Sequence, residues 1–174
     1  MEPSTPSRSR PKKALIAILF AVLAIAAGSY VVFGARKPAP EVTYTTIKGE
    51  KVTSASLRGK VVMVNFWATS CTTCVKEMPQ MVETYQKYNA KGLEFVAVAM
   101  AYDPPNYVVN FTETRALPFK VALDLDGSLA EAYGKVTLTP TTFVIDKQGK
   151  IIKRYVGEPD FAQLHQLLEK ELAA

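Results

Sequence analysis

The stretch Val61-Val62-Met63-Val64-Asn65-Phe66-Trp67-Ala68-Thr69-Ser70-Cys71-Thr72-Thr73-Cys74 decides how this chain is read. Its first half is a short apolar run suited to a buried central strand. Its second half holds the only cysteines of the chain, separated by two residues. From Cys71 to Tyr88 the apolar set Cys71, Cys74, Val75, Met78, Met81, Val82, Tyr85 and Tyr88 recurs at steps of three and four, which predicts an amphipathic helix with one buried face. Both thiols then fall in the first turn of that helix, where they can close a disulfide and reopen it.

A Cys-x-x-Cys pair has three uses: a metal site, a structural staple or a redox dithiol. A structural zinc site needs four ligands, whereas this chain has no second cysteine pair and a single histidine, His165, far downstream. A staple that closes so small a loop constrains the unfolded chain far less than a long one. The redox reading is the one the neighbouring sequence supports. Thiol–disulfide exchange proceeds by thiolate attack, and a helix N-terminus lowers a thiol pKa through its unpaired N–H groups and positive dipole potential. Cys71, at the expected helix start, is therefore the candidate nucleophile, and Cys74, one turn further in, the thiol that resolves a mixed disulfide.

The chain has 174 residues, 48% of them hydrophobic, and a formal net charge of +5, figures that fit one globular domain with an appendage. Residues 14–33 are almost wholly apolar and long enough to span a ~30 Å hydrocarbon core as a helix. Arg8, Arg10, Lys12 and Lys13 precede this segment and only Arg36 and Lys37 closely follow it, so the N-terminus is expected in the cytoplasm and the bulk of the chain outside. Ala24-Ile25-Ala26 resembles a processing site, but the apolar run continues through Phe33, which favours a retained anchor over a cleaved signal. The expected organisation is a basic N-terminus over 1–13, a transmembrane signal-anchor helix over 14–35, a tether over 36–41 and one folded domain over 42–174. Residues 1–40 hold six basic side chains and one acidic, and the remainder fifteen of each, so no basic excess is left to neutralise phosphates and nucleic acid is not an expected partner.

Along the domain, Val42–Ile47 and Lys51–Thr53 read as extended around a turn at Gly49. Leu93–Ala101 is the next strand after the cysteine-bearing helix, and Asp103-Pro104-Pro105 breaks it before a helical stretch through about Thr114. Phe119–Asp124 reads as a strand and Ser128–Tyr133 as a short helix. Thr141–Asp146 and Lys150–Val156 form a predicted hairpin about Lys147-Gln148-Gly149. A last helix, from about Asp160 to Leu172, turns Phe161, Leu164, Leu167, Leu168 and Leu172 inward. Parallel crossovers followed by a terminal hairpin and helix describe an α/β domain with a mixed sheet flanked by helices, which with Cys-x-x-Cys after a central strand is the thioredoxin-like arrangement.

The run from Gly59 to Cys74, with Glu77 and Pro79, and the later Thr139-Pro140-Thr141-Thr142-Phe143-Val144-Ile145-Asp146, closely resemble the membrane-tethered TlpA/ResA/DsbE branch of the thioredoxin superfamily over roughly residues 41–172. That branch carries an acid at the place of Glu77, which tunes the cysteines. Three residues after Cys74, the Glu77 side chain leans toward the helix N-terminus and is expected to reach back to the sulfur pair as proton acceptor. Ordinary thioredoxins have a buried aspartate where this chain has Asn65, which leaves Glu77 as the base. The resemblance also implies a cis Thr139–Pro140 peptide facing Cys71, with the Thr139 backbone pairing an extended substrate strand. Trp67 is expected to pack beside the dithiol and shape the substrate-binding surface. Ser70 and Thr73 stand where the branch often has tryptophan and proline, which alters the surface around Cys71.

His165 is read as a plain helix residue, and Met78 and Met81 as core. No metal or cofactor is expected. The resemblance implies a thiol:disulfide oxidoreductase of the bacterial inner membrane with its catalytic domain in the periplasm, reducing protein disulfides such as those of apocytochrome c or a cytochrome oxidase copper-site protein. A transmembrane electron donor of the CcdA/DsbD type would keep it reduced. A dithiol oxidant and a copper-delivery protein are the alternatives, while a thiol peroxidase lacks its Pro-x-x-x-Thr/Ser-x-x-Cys pattern before Cys71.

Overall fold

A computed structural model describes Leu15, Ile16, residues 18–23 and residues 36–174. The chain divides into two units, Met1–Arg36 and Lys37–Ala174. In the first, the described residues 15, 16 and 18–23 are helical and their side chains exposed. Most of the expected membrane segment lies outside the described residues, and among those described no helix is long and apolar enough to cross a membrane.

The second unit begins with β1 (Thr43–Thr45) and β2 (Lys51–Thr53), an antiparallel pair around Gly49. Then follow β3 (Val61–Trp67), α1 (Thr72–Tyr88), β4 (Leu93–Ala99), α2 (Pro105–Thr114), β5 (Lys120–Leu123), α3 (Ser128–Ala132), β6 (Thr141–Ile145), β7 (Ile151–Val156) and α4 (Phe161–Ala173). Five strands form one mixed sheet in the order β5-β4-β3-β6-β7, with β3, β4 and β5 parallel and β6 and β7 antiparallel to their neighbours. Every residue of β3 is buried, which explains its near-continuous apolar run: a central strand covered on both faces has no polar side.

Alternation along β3 divides the core in two. Val62, Val64 and Phe66 point to one face, where the Phe66, Tyr133 and Phe143 rings meet at centroid distances of 4.9–6.1 Å and the Tyr44 hydroxyl bonds that of Tyr133 at 2.5 Å. Val61, Met63 and Trp67 point to the other, against Cys74, Met78 and Met81 of α1 and Leu164 and Leu168 of α4. Asn65 belongs to this second face, a polar residue in an apolar layer.

The register gathers the functional end. Trp67 pairs with Ala99, Ala99 with Leu123, Phe66 with Thr141 and Thr141 with Val156. The exits of β3, β4, β5 and β7 and the entrance of β6 therefore share one edge of the sheet. At the other edge lies the β6–β7 turn, where the Asp146 carboxylate accepts from the N–H groups of Gln148 and Lys150. Gly149 takes a φ of +75° there, and a Cβ on it would run into the Arg58 guanidinium.

Residues 37–41, expected within a tether, are laid against this turn. The Ala39 N–H donates to the Gly149 carbonyl, the Ile151 N–H donates to the Lys37 carbonyl, and Glu41 pairs with Arg58. Ala39 is buried in the core. The composition of the segment hid this because backbone pairing leaves little trace in sequence. Phe119, expected in β5, precedes it and packs its ring at a tilt against that of Phe95 instead.

Candidate functional site

Cys71 caps α1 from one residue outside it, so the expectation of two thiols in the first helical turn holds only for Cys74. Its backbone is extended, its carbonyl accepts from the Val75 N–H at 3.0 Å, and its Sγ accepts from the Cys74 N–H at 3.2 Å. The sulfur thus occupies the place of an N-cap oxygen, where an N–H and the helix dipole both favour negative charge. Cys71 is half-buried and Cys74 fully buried. The two sulfurs are bonded, with Cα atoms 5.2 Å apart.

One turn further on, the Glu77 side chain is buried to 1% exposure. Its Oε1 accepts from Asn65 Nδ2 at 3.1 Å, and the same amide donates to Thr142 Oγ1 at 2.9 Å. Glu77 Oε2 and Asn65 Oδ1 have no hydrogen-bond partner among the described residues. Burial pushes the Glu77 carboxyl from its ordinary 4.5 up to about 8, against the pull of the Asn65 N–H. Asn65 entered the sequence reading only as a missing aspartate. In the structure it holds the acid, and its position on the α1-facing side of β3 was the signal.

The Thr139–Pro140 peptide is cis, and the Phe66–Thr141 register sets it beside the exit of β3. Pro140 is buried and its carbonyl accepts from the Gly157 N–H at 2.8 Å, while Thr139 Oγ1 meets the Tyr102 hydroxyl at 3.2 Å. Trp67 is fully buried in the cluster that contains Cys74, with its ring centroid 5.2 Å from that of Phe111.

Asp103 went unread as anything but a strand breaker. It is buried, and its two oxygens accept from the backbone N–H and the hydroxyl of Thr69, both at 2.6 Å. His165 stands away from this group, and the plain-helix reading misses its contacts: its Nε2 lies 2.9 Å from Thr84 Oγ1 and its ring meets Tyr88 edge-on, tying α4 to α1.

A thiol capping a helix, a buried thiol one turn in, a buried carboxyl on the same helix face and a cis-proline loop alongside make a site for disulfide exchange. The sequence profile of the Redoxin family matches residues 35–168. The chain belongs to that family. Within it, the redoxin is 42% identical over 134 residues to the thiol-disulfide oxidoreductase ResA of Bacillus thuringiensis subsp. konkukian, covering 77% of this chain and 76% of that one. Among solved structures, the redoxin superimposes with a TM-score of 0.74 and 38% identity on a Neisseria meningitidis protein assigned to the thioredoxins, over 79% of this chain and 91% of that one. A thiol:disulfide interchange protein of the thioredoxin family from Chlorobium tepidum gives a TM-score of 0.72 at 32% identity, over 79% and 97%. The redoxin is a thiol:disulfide oxidoreductase of the TlpA/ResA-like branch with a thioredoxin-like fold.

Proposed function

We propose that this oxidoreductase runs as a reductase of protein disulfides, and the buried Glu77 carboxyl carries that reading. In the reducing direction the Cys71 thiolate attacks a client disulfide. One S–S bond forms between Cys71 and the client as the client's own bond breaks, and the departing client sulfur takes up a proton. Cys74 must then lose its proton to attack Cys71, releasing the second client sulfur and leaving the Cys71–Cys74 disulfide; two electrons pass from enzyme to client. A buried thiol needs a proton acceptor for that step. Glu77 shares its helix face at i+3, is held by Asn65, keeps one oxygen unpaired, and has a pKa raised to about 8, near that of a thiol, so proton transfer carries little penalty.

The cis-Pro140 loop would receive the client. Its buried proline offers no N–H, and the half-buried Thr139 leaves an edge for an extended strand. Trp67 would support that surface from beneath. The charge asymmetry and apolar run before residue 36 favour a retained membrane anchor with the domain on the periplasmic side. Such an anchor would keep it near a transmembrane donor of the CcdA/DsbD type and near clients such as apocytochrome c or a copper-site protein. The test is the reduction potential of the dithiol against thiol buffers: about −230 mV or lower supports the reductase, and about −120 mV makes the protein a disulfide donor.

A further inference from the structure

The loop that presents Cys71 is a tight turn. The Cys71 N–H donates to the Ala68 carbonyl at 3.1 Å, which leaves Thr69 and exposed Ser70 as its two central residues. Neither contains glycine or proline, so the turn has no covalent reason to hold one conformation. What holds it comes from β4. The Met100 N–H donates to the Trp67 carbonyl at 3.0 Å, and the Asp103 N–H donates to the Met100 carbonyl at 2.9 Å, which folds the β4 exit back over the β3 exit. Buried Asp103 then grips half-buried Thr69 through both carboxylate oxygens. The adjacent residue, Tyr102, is 59% exposed and reaches the other way, to the side chain of Thr139 beside the cis-proline.

We propose that Asp103 is the positioning residue of the dithiol, fixing through Thr69 the turn that aims the Cys71 sulfur. With Tyr102 it locks that turn in register with the Thr139–Pro140 loop. One dipeptide thus links the group that attacks a disulfide with the edge that holds the polypeptide bearing it. Exchange needs the attacking sulfur in line with the S–S bond, so a loosened turn costs rate even where the thiol stays chemically intact. The role of Asp103 is geometric: its oxygens serve as acceptors, and an amide can reproduce both contacts by accepting from the Thr69 N–H and donating to the Thr69 hydroxyl. The proposal requires that Cys71 exchange disulfides in either direction, and does not depend on the reductase assignment.

The test uses the full chain, reduced, with two probes: a peptide closed by one disulfide, and iodoacetamide across pH. Asp103→Ala and Thr69→Val are expected to slow peptide exchange on the order of tenfold in kcat. Asp103→Asn and Thr69→Ser are expected to stay within about threefold of the native chain. Tyr102→Phe should raise KM for the peptide about threefold and leave iodoacetamide alkylation of Cys71 unchanged. If Asp103→Ala folds poorly, Thr69→Val carries the test with Asp103 intact. Rates within about twofold of native for both Asp103→Ala and Thr69→Val overturn the proposal, as does an Asp103→Asn as slow as the alanine variant, which would assign the effect to charge. Native exchange that runs only from the oxidised chain to the same peptide as a dithiol would overturn the reductase reading, and the same variant ratios are then measured in that direction.

Discussion

The two ends of the five-stranded sheet are built on opposite terms. At the β6–β7 end nearly everything is closed: Asp146 satisfies two turn N–H groups, Gly149 supplies the left-handed residue, and residues 37–41 lie paired along the edge. At the dithiol end a buried carboxyl and a buried amide each keep an oxygen with no hydrogen-bond partner among the described residues, and a peptide bond is cis. Tyr102, Leu125, Leu138 and Val156, all beside strand ends on this edge, are each more than half exposed. Local consistency at one end supplies stability, and the unsatisfied polar groups at the other are those to which the proposed proton transfer assigns a use. Polar groups left unsatisfied in a core are costly, and a fold keeps them where their function needs them.

The contrast breaks most sharply at the sulfurs. Cys71→Ser should abolish exchange to the uncatalysed rate, while Cys74→Ser should attack a disulfide peptide and stop at the mixed disulfide, visible as a stable mass adduct on Cys71. Removal of the Phe66 ring, which lies on the face away from the dithiol and contacts Tyr133 and Phe143, sets the scale for ordinary core loss. Phe66→Ala should cost about 3–5 kcal/mol of stability in denaturant unfolding.

Glu77 gives a pH-dependent comparison. In the unfolded chain its carboxyl ionises near 4.5 and in the folded chain near about 8, so between those values the unfolded state has lost a proton that the folded state keeps. Stability contributed at this site therefore falls as pH rises from 4.5 to about 8 and is level above. Glu77→Gln in the oxidised chain should be increasingly more stable than the native protein across that window, by on the order of 5 kcal/mol at its upper end in urea unfolding. Asp146→Ala, at the closed end, should do the reverse in kind: a loss of about 1–2 kcal/mol with the exchange rate unchanged.

Much of this was legible in the sequence, for identifiable reasons. The apolar run of β3 and the three-and-four spacing of α1 reflect burial on both faces and on one, and burial writes directly into residue type. Cys71 and Cys74 were legible because no other residue type does their chemistry, whereas spacing placed Glu77 only within a turn of the sulfurs and it was the resemblance to the TlpA/ResA/DsbE branch that singled it out. Asn65 was half legible, its face fixed by alternation but its partner fixed only by the packing of α1 on β3. Asp103 was not legible: it meets Thr69 from 34 positions away, and Asp-Pro-Pro has a sufficient local meaning as a strand breaker. The pairing of residues 37–41 with the hairpin turn was hidden for the same reason, since main-chain hydrogen bonds name no side chain.

The central claim is that the unsatisfied carboxyl at the dithiol end serves the resolving thiol. Its most direct test is the rate at which Cys74 resolves a preformed Cys71–peptide mixed disulfide, followed across pH in the native chain and in Glu77→Gln. The account predicts a native rate that rises through an apparent pKa near about 8 and a variant slowed ten- to a hundredfold at that pH, its rise moved to the higher pH at which the unassisted Cys74 thiol ionises. Superimposable profiles for the two chains would contradict it.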